Sequence, residues 1–488
     1  MLADMTIGLG IDFGTTNSTL CFYDGREFQT VALEGVRTTM PSLLYVDREF
    51  RPSYGEAARE RFLSDNEGRK IRLESYEVGT IEITLGDNAF ESFDSTGFAQ
   101  GPTSYDAVVS GVTDRNLPGF LFAGTKRLLG QSVIDSVQVF GRRFRLEAVV
   151  SSIVGHLLRL GSGVHAPEEL SAICVGRPVN YESGTEEAQA ESNDRAITRM
   201  EQALGHARVS GYTFFLEPIA PVLSWMHEDG EHEDASDATI LVLDFGGGTL
   251  DFSLVRRHGG HLSVQGNDGY ALGGDIITEQ LIRDHLFPLL GLDPWTLAEL
   301  QARHNDIEDL VPHILNWRTT YLLNQPAYME KLMGAVKALP ERAHQLNRAR
   351  LLIVSNYSYQ LFHAADMAKQ QLTSSHEARI SLPPIGIDVV LGRDDLEQSL
   401  RGYLDTIGAS IRRFCDQYAD GVGRVTRVLL TGGTSLIPAI RNRMESIFPG
   451  RIEAVDPFMS IVKGFALGAW LQAEGRLSHA EGRLEIEL

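Results

Sequence analysis

The chain has 488 residues and a formal net charge of −21. That charge excludes the broad basic surface needed to hold a nucleic-acid backbone or an anionic membrane, but not a single anionic ligand held by backbone N–H groups. Hydrophobic residues make up 43% and charged residues 22%, the balance of a globular protein of about two to four domains that can bury its cores without disulfides. Cys21, Cys174 and Cys415 are far apart with no paired spacing, and are expected to be buried thiols in a reducing compartment. The first residues carry no basic region or cleavage signature, and no apolar run is long enough to span a bilayer, so the expected location is cytoplasmic.

In chain order, Ile7–Asp24 predicts a strand, a glycine turn, a second strand and a further turn at Asp24-Gly25. Strands are predicted at Glu27–Leu33 and Ser42–Tyr45. Residues 64–118 are rich in Gly, Ser, Asp and Thr with short alternating runs such as Thr80–Leu85, and look like an insertion. Helical spacing over Phe144–Leu160 precedes a buried strand, Ser171–Gly176, stopped at Arg177-Pro178. An amphipathic helix is predicted over Glu186–Leu204, a strand over Tyr212–Leu216, and a helix over Ile219–Met226 opened by Glu217-Pro218. The acidic stretch 228–237 is expected to be a solvated loop rather than a metal site built with His232. Ile240–Arg256 then repeats the strand, glycine turn, strand pattern, and 291–345 reads as a second, helical insertion. A strand over Arg424–Leu430 ends in Thr431-Gly-Gly-Thr-Ser435, followed by helices over Ile437–Ile447 and Ser460–Gln472. In the polar tail the twice-used string Glu-Gly-Arg-Leu, at 474–477 and 481–484, is expected to be incidental, while Leu484–Leu488 alternates as an added edge strand would.

Two segments carry the chemistry. In Asp12-Phe-Gly-Thr-Thr-Asn17 a strand ends in a carboxylate, Gly14 permits a tight turn, and Thr15 and Thr16 place hydroxyls beside free N–H groups. Such a turn forms a concave anion site. Asp244-Phe-Gly-Gly-Gly-Thr-Leu-Asp251 offers the same elements with Gly246, Gly247, Gly248 and Thr249. Asp12 and Asp244 lie 232 residues apart, close to half the chain, which points to a duplicated domain. Two opposed anion sites, each with an Asp, suit a polyphosphate bound with Mg²⁺, which prefers oxygen ligands and keeps several waters.

These motifs, their order and their spacing resemble the ATPase domain of DnaK-type heat-shock chaperones, in the actin and sugar-kinase superfamily, over roughly residues 6–472. The resemblance implies an α/β fold: a duplicated ribonuclease-H-like, actin-type ATPase of two lobes around a central nucleotide cleft. Lobe I would span 1–236 with its insertion at about 64–118, lobe II 237–473 with its insertion at about 291–345, and 474–488 would be a tail. The cofactors implied are ATP or ADP and Mg²⁺, with Asp12 and Asp244 as metal anchors. Phe122–Gly130 is similar to the segment carrying the catalytic lysine, here Lys126. Glu217-Pro218 matches the segment supplying a glutamate near the metal and the attacking water, with Asp251 as a further carboxylate there. Gly273 and Gly274 match a loop near the phosphates. Asp366, Lys369 and Thr373 fall in a helix similar to one that lines the nucleoside, and Gly432, Gly433 and Thr434 match the adenosine motif. Pro178, by the same resemblance, transmits the nucleotide state.

Two departures stand out. The family places arginines on both faces of adenine; this chain has Gln370 and Leu436 at those positions, a loss of about 1 kcal/mol of stacking each. The tail after Gln472 is too short for a peptide-binding domain, which makes the resemblance strongest to the YegD branch, the ATPase part alone. The implied function is slow, Mg-dependent ATP hydrolysis by a stress-response chaperone-family protein that works through co-chaperone or client proteins. A small-molecule kinase and a nucleotide-dependent filament or switch protein remain open on the same fold.

Overall fold

The computed structural model describes residues 6–84, 104–181, 189–229, 237–258, 261–270, 272–480 and 483–486. The fold is mixed α/β, organised by two sheets with the same internal order. In the first sheet the strands run Tyr212–Leu216, Ala172–Arg177, Gly8–Phe13, Asn17–Tyr23 and Phe28–Thr30, with Thr39–Pro41 also pairing to Asn17–Tyr23. In the second they run Ile452–Glu453, Arg427–Thr431, Asp237–Phe245, Leu250–His258 and His261–Tyr270. In each sheet the strand before the glycine turn is central. It pairs parallel on one side and forms an antiparallel hairpin on the other. Such strands are buried on both faces, so they read as unbroken apolar runs, Ile240–Leu243 being an example.

Helix Ser460–Ala473 crosses the back of the first sheet. A Cβ on Gly8 would strike the carbonyl of Ala466, and one on Gly10 that of Val462, so two bare positions on one strand let the helix backbone come this close. Helix Leu146–Gly161 buries Leu146, Val149, Val150, Ile153, Val154 and Leu157 along one stripe, the 3.6-residue period made physical. It packs on helix Gln189–His206 through Ala196, Met200, Ala203 and Leu204. A second core cluster joins Cys21 and Cys174 to Ile240, Val242, Leu429, Val462 and Phe465. All three cysteines are buried free thiols. No helix among the described residues is long and apolar enough to cross a membrane.

The chain divides into two compact units. One comprises Met1–Asp65, Gly119–Leu286 and Phe362–Leu488, and contains both sheets and every motif residue. The other comprises Asn66–Pro118 and Phe287–Leu361. Within it, residues expected to hold only short alternating runs form a hairpin of two long strands, Leu73–Thr84 and Ser104–Asp114. Its weak apolar pattern hid that length from the sequence. The same unit carries helices Pro294–Ala302, Val311–Leu315, Pro326–Ala338 and Ala343–Val354.

Two expectations change at the edges. Glu228 and Asp229 continue helix Ala220–Asp229, and Asp237 opens a strand, so the acidic stretch is shorter than its composition suggested; His232 lies outside the described residues. In the tail, each copy of the repeated string leads into a strand, Leu477–Ala480 and Arg483–Ile486. These strands extend the second sheet through the pairing of Leu262 with Leu484 and of His261 with Glu485. Arg483–Ile486 supplies the added strand expected near 484–488, with Leu477–Ala480 outermost, and Glu487 and Leu488 lie outside the described residues.

Candidate functional site

Both turns follow from hairpin geometry. The N–H of Gly14 donates to the carbonyl of Asn17 at 3.0 Å, closing the first turn. Behind it, Ser42 donates its hydroxyl to the Gly14 carbonyl and its N–H to the Thr16 carbonyl, both at 2.8 Å, and Ser18 bonds the Ser42 hydroxyl. Asn17 and Thr16 are exposed, and Thr15 is half-buried. The second turn, Gly246–Thr249, is gripped from its far side. The N–H groups of Gly274 and Asp275 donate to the carbonyls of Gly246 and Gly247, at 3.0 and 2.6 Å, and the Thr434 hydroxyl adds a bond to Gly246. A Cβ on Gly273 would lie within 2.5 Å of the Thr249 nitrogen, so only glycine allows this clamp. With the carbonyls engaged, the N–H groups of Gly247 and Gly248 have no acceptor among the described residues, as an anion site requires. A Cβ on Gly247 would collide with Thr16 Oγ1, so the two turns abut.

Carboxylates collect where the turns meet. Burial pushes Asp12 up to about 7; Lys126 opposes this, while Glu217 and Asp244 add to it. Burial likewise pushes Asp244 up to about 6, reinforced by Glu217 and opposed by the Thr431 hydroxyl, which donates to it at 3.0 Å. Asp251 reaches about 7 from its depth among neighbouring atoms and from Asp244, although its edge is open to solvent and Thr249 donates to it at 2.9 Å. Three acids with raised proton affinity in one place lack positive charge. Lys126, 8% exposed, meets Glu217 Oε1 at 2.5 Å in an ion pair. Burial alone would lower the lysine, but Glu217 and Asp12 hold it well above its usual value. Lys126 sits in the short helix Thr125–Leu128 that follows Gly124 at φ 68°, and Glu217 opens the turn Glu217–Ile219 stiffened by Pro218.

Hard carboxylate oxygens short of countercharge fit Mg²⁺. Among the described residues no three ligating side chains converge tightly enough to hold an ion alone. A Mg²⁺ ion held by two such carboxylates would take water and substrate phosphate at its remaining positions.

The remaining predicted residues divide. Lys369, 7% exposed, donates to the Gly274 carbonyl at 2.9 Å and the Thr278 hydroxyl at 3.0 Å, and pairs with Asp366 at 2.6 Å. It braces the loop that clamps the second turn. Burial would raise Asp366, but Lys369 and Gln370 outweigh it and hold the carboxyl below its ordinary value. Gln370, standing where the resemblance expects an arginine, spends its amide on Asp366 at 2.8 Å. The Thr373 hydroxyl returns to the carbonyl of Gln370. Gly432 donates to the Pro457 carbonyl, and Gly433 lies so close to the exposed Phe458 that a Cβ would come within 2.9 Å of its ring. Leu436 is also exposed. Thr431 opens the Thr431–Ser435 motif, but its bond to Asp244 is not visible in it; Ser18, Ser42, Thr278 and Phe458 carry no motif of their own. Each reaches the site through a partner distant in sequence, so no local signal marks them.

The fold and site define a mixed α/β scaffold in which two sheets of the same order each carry a glycine turn. Comparison with known proteins relates it to a family. The chain is 22% identical over 478 residues to chaperone protein dnaK1 of Prochlorococcus marinus, covering 95% of this chain and 56% of that one. It is 24% identical over 479 residues to chaperone protein DnaK of Mycoplasmopsis agalactiae, covering 96% and 59%. It is 22% identical over 479 residues to chaperone protein dnaK1 of Synechocystis, covering 95% and 54%. No protein-family model matches the chain. The matches support the DnaK-type ATPase family, and the mixed α/β architecture agrees with them. The chain spans a little over half the length of these curated relatives.

Proposed function

We propose that the chain binds Mg-ATP at the paired turns and hydrolyses its γ-phosphate slowly, as a chaperone-family ATPase acting through a co-chaperone or client protein. The observation that carries this is the meeting of two glycine turns from two sheets of identical order, beside three aspartates of raised proton affinity and one lysine–glutamate pair. Phosphoryl transfer needs little covalent chemistry from a protein; positioning and charge stabilisation suffice. The N–H groups of both turns hold phosphate oxygens. Asp12 and Asp244 hold Mg²⁺, which offsets phosphate charge when bound. Lys126 stabilises charge on the transferring group, while Glu217 and Asp251 orient the water and accept its proton. Leu436 and Phe458 give the base apolar contact in place of arginine stacking. Nucleotide state would set the spacing of the two turns, and with it the angle between lobe I, 1–236, and lobe II, 237–473.

Calorimetric titration with ATP, ADP and GTP, with and without Mg²⁺, tests binding, and phosphate release tests hydrolysis. Mg-dependent ATP binding that Asp12→Asn and Asp244→Asn abolish is expected. Protein that binds no nucleotide, or binds equally well after both substitutions, refutes the reading.

A further inference from the structure

Lys126 stands on a helix of a single turn, Thr125–Leu128. A helix that short does not hold itself in place, because it fixes more dihedral angles than it gains hydrogen bonds. Its position has to come from outside. The buried Leu129 side chain ties the end of the turn into the core, but the carbonyls there still need donors. Helix Gln189–His206 supplies them. Arg199 brings one nitrogen, Nη1, to the carbonyl oxygens of Leu128 at 3.3 Å, Leu129 at 2.8 Å and Gln131 at 2.9 Å, and donates to all three. The Gly130 carbonyl between them accepts from the Ser192 hydroxyl at 3.1 Å and from Arg195 at 2.7 Å. Carbonyls at the C-terminal end of a helix favour a cation, through hydrogen bonds and through the helix dipole. Arg199 is half-buried; burial first, then the like charge of Arg195, pulls its guanidinium below its usual value, while Glu147 and Asp135 oppose the shift. All its hydrogen bonds among the described residues go to this one stretch of backbone. The helix behind it is fixed in turn, since Ala196, Met200, Ala203 and Leu204 are buried in the core. Arg199 is therefore a strut between a packed helix and the turn that carries Lys126.

We propose that Arg199 is a positioning residue for hydrolysis, holding the single turn so that the Lys126 ammonium stands where the γ-phosphate is transferred. The proposal rests on Mg-ATP binding and hydrolysis at the paired glycine turns. Arg199 acts through Lys126 and not on the nucleotide. Lys126 reaches its place along four methylene groups, so a shift of the turn moves the ammonium with it. A displacement of about 1 Å costs about a hundredfold in rate. Leu129 keeps its place in the core without the arginine, so the turn loosens but does not detach, and the glycine turns that bind phosphate are left as they are.

The test uses the full chain with Arg199→Met, which keeps an unbranched stem and removes the donors, and with Arg199→Lys. One nitrogen serves all three carbonyls, so an ammonium with its three N–H groups replaces it in kind. Single-turnover phosphate release from pre-bound Mg-ATP reads the chemical step, calorimetry reads affinity, and urea unfolding reads stability. Arg199→Met is expected to slow the single turnover about ten- to hundredfold while Mg-ATP affinity changes by less than about twofold. Arg199→Lys is expected to run at least about threefold faster than Arg199→Met, a rescue by the conservative variant. If Arg199→Met does not fold, Arg199→Gln takes its place with the same expected split between rate and affinity. If the variant loses stability but releases phosphate at the wild-type rate, or if rate and affinity fall together and lysine restores neither, the residue is structural only; the proposal is refuted and the nucleotide reading stands. If the wild type binds Mg-ATP without hydrolysing it, the positioning role is refuted and binding at the turns stands. If the wild type binds no Mg-ATP, both readings fall.

Discussion

Asp244→Asn separates what the site does for stability from what it does for ligand. Asp244 is pushed from its ordinary carboxylate value up to about 6, chiefly by burial. A carboxyl whose folded value is raised makes the folded state bind more protons than the unfolded one between about pH 4 and 6, so stability falls as pH rises through that window and stays reduced above it. Two pH units correspond to about 3 kcal/mol at 1.36 kcal/mol per unit. Partial exposure of the side chain discounts this to about 1–2 kcal/mol. Asparagine carries no charge and can still accept the Thr431 hydroxyl bond. The variant is therefore expected to be about 1–2 kcal/mol more stable than the wild type at pH 8 and equally stable near pH 4, measured by urea unfolding with EDTA. It also relieves Asp251, which Asp244 pushes upward. Mg-ATP should stabilise the wild type through mass action and leave the variant unmoved. A variant less stable than the wild type at pH 8, or a difference independent of pH, would refute the charge argument.

Three further outcomes follow from the contacts. Lys126→Met leaves the half-buried Glu217 without its partner and should cost about 1–3 kcal/mol of stability as well as hydrolysis; adding Glu217→Gln should restore much of the stability and none of the hydrolysis, read by urea unfolding and phosphate release. Gly273→Ala forces a methyl group against the second turn, so Mg-ATP affinity should fall at least tenfold in calorimetry while the far-UV spectrum is retained. Leu436→Arg supplies a stacking cation at an exposed position and should tighten ATP binding about fivefold, close to 1 kcal/mol, in the same titration.

Both glycine turns were legible in the sequence because each is local. Asp, Gly, Thr and the flanking apolar runs lie within a dozen residues, and a hairpin with a short glycine turn has few alternatives. The duplication was legible for the same reason, since two copies of a local pattern need no knowledge of contacts. The central strands declared themselves through unbroken apolar runs, and helix Leu146–Gly161 through its period. The long hairpin Leu73–Thr84 with Ser104–Asp114 and the tail strands did not, because polar two-stranded ribbons lack the one-sided apolar alternation that marks a strand against a core.

What tertiary structure decided is the use made of each side chain. The resemblance implied a nucleoside-lining helix at Asp366 and Lys369; packing gives Lys369 the Gly274 carbonyl and the Thr278 hydroxyl, acceptors that a buried ammonium needs. Gln370 is drawn to Asp366 one helical turn away, and Thr373, expected in the same helix, lies past its end at Gln371 and donates back to the Gln370 carbonyl. Ser42 supports the first turn from 28 residues away from Gly14, a distance no motif spans. The aspartates themselves were visible from the start, but the shift of their proton affinities arises only from burial and mutual proximity. The sequence by itself determined that two turns of one kind exist in this chain. Bringing them together, with Lys126 and Glu217 between carboxylates, is the work of two sheets folded to the same order.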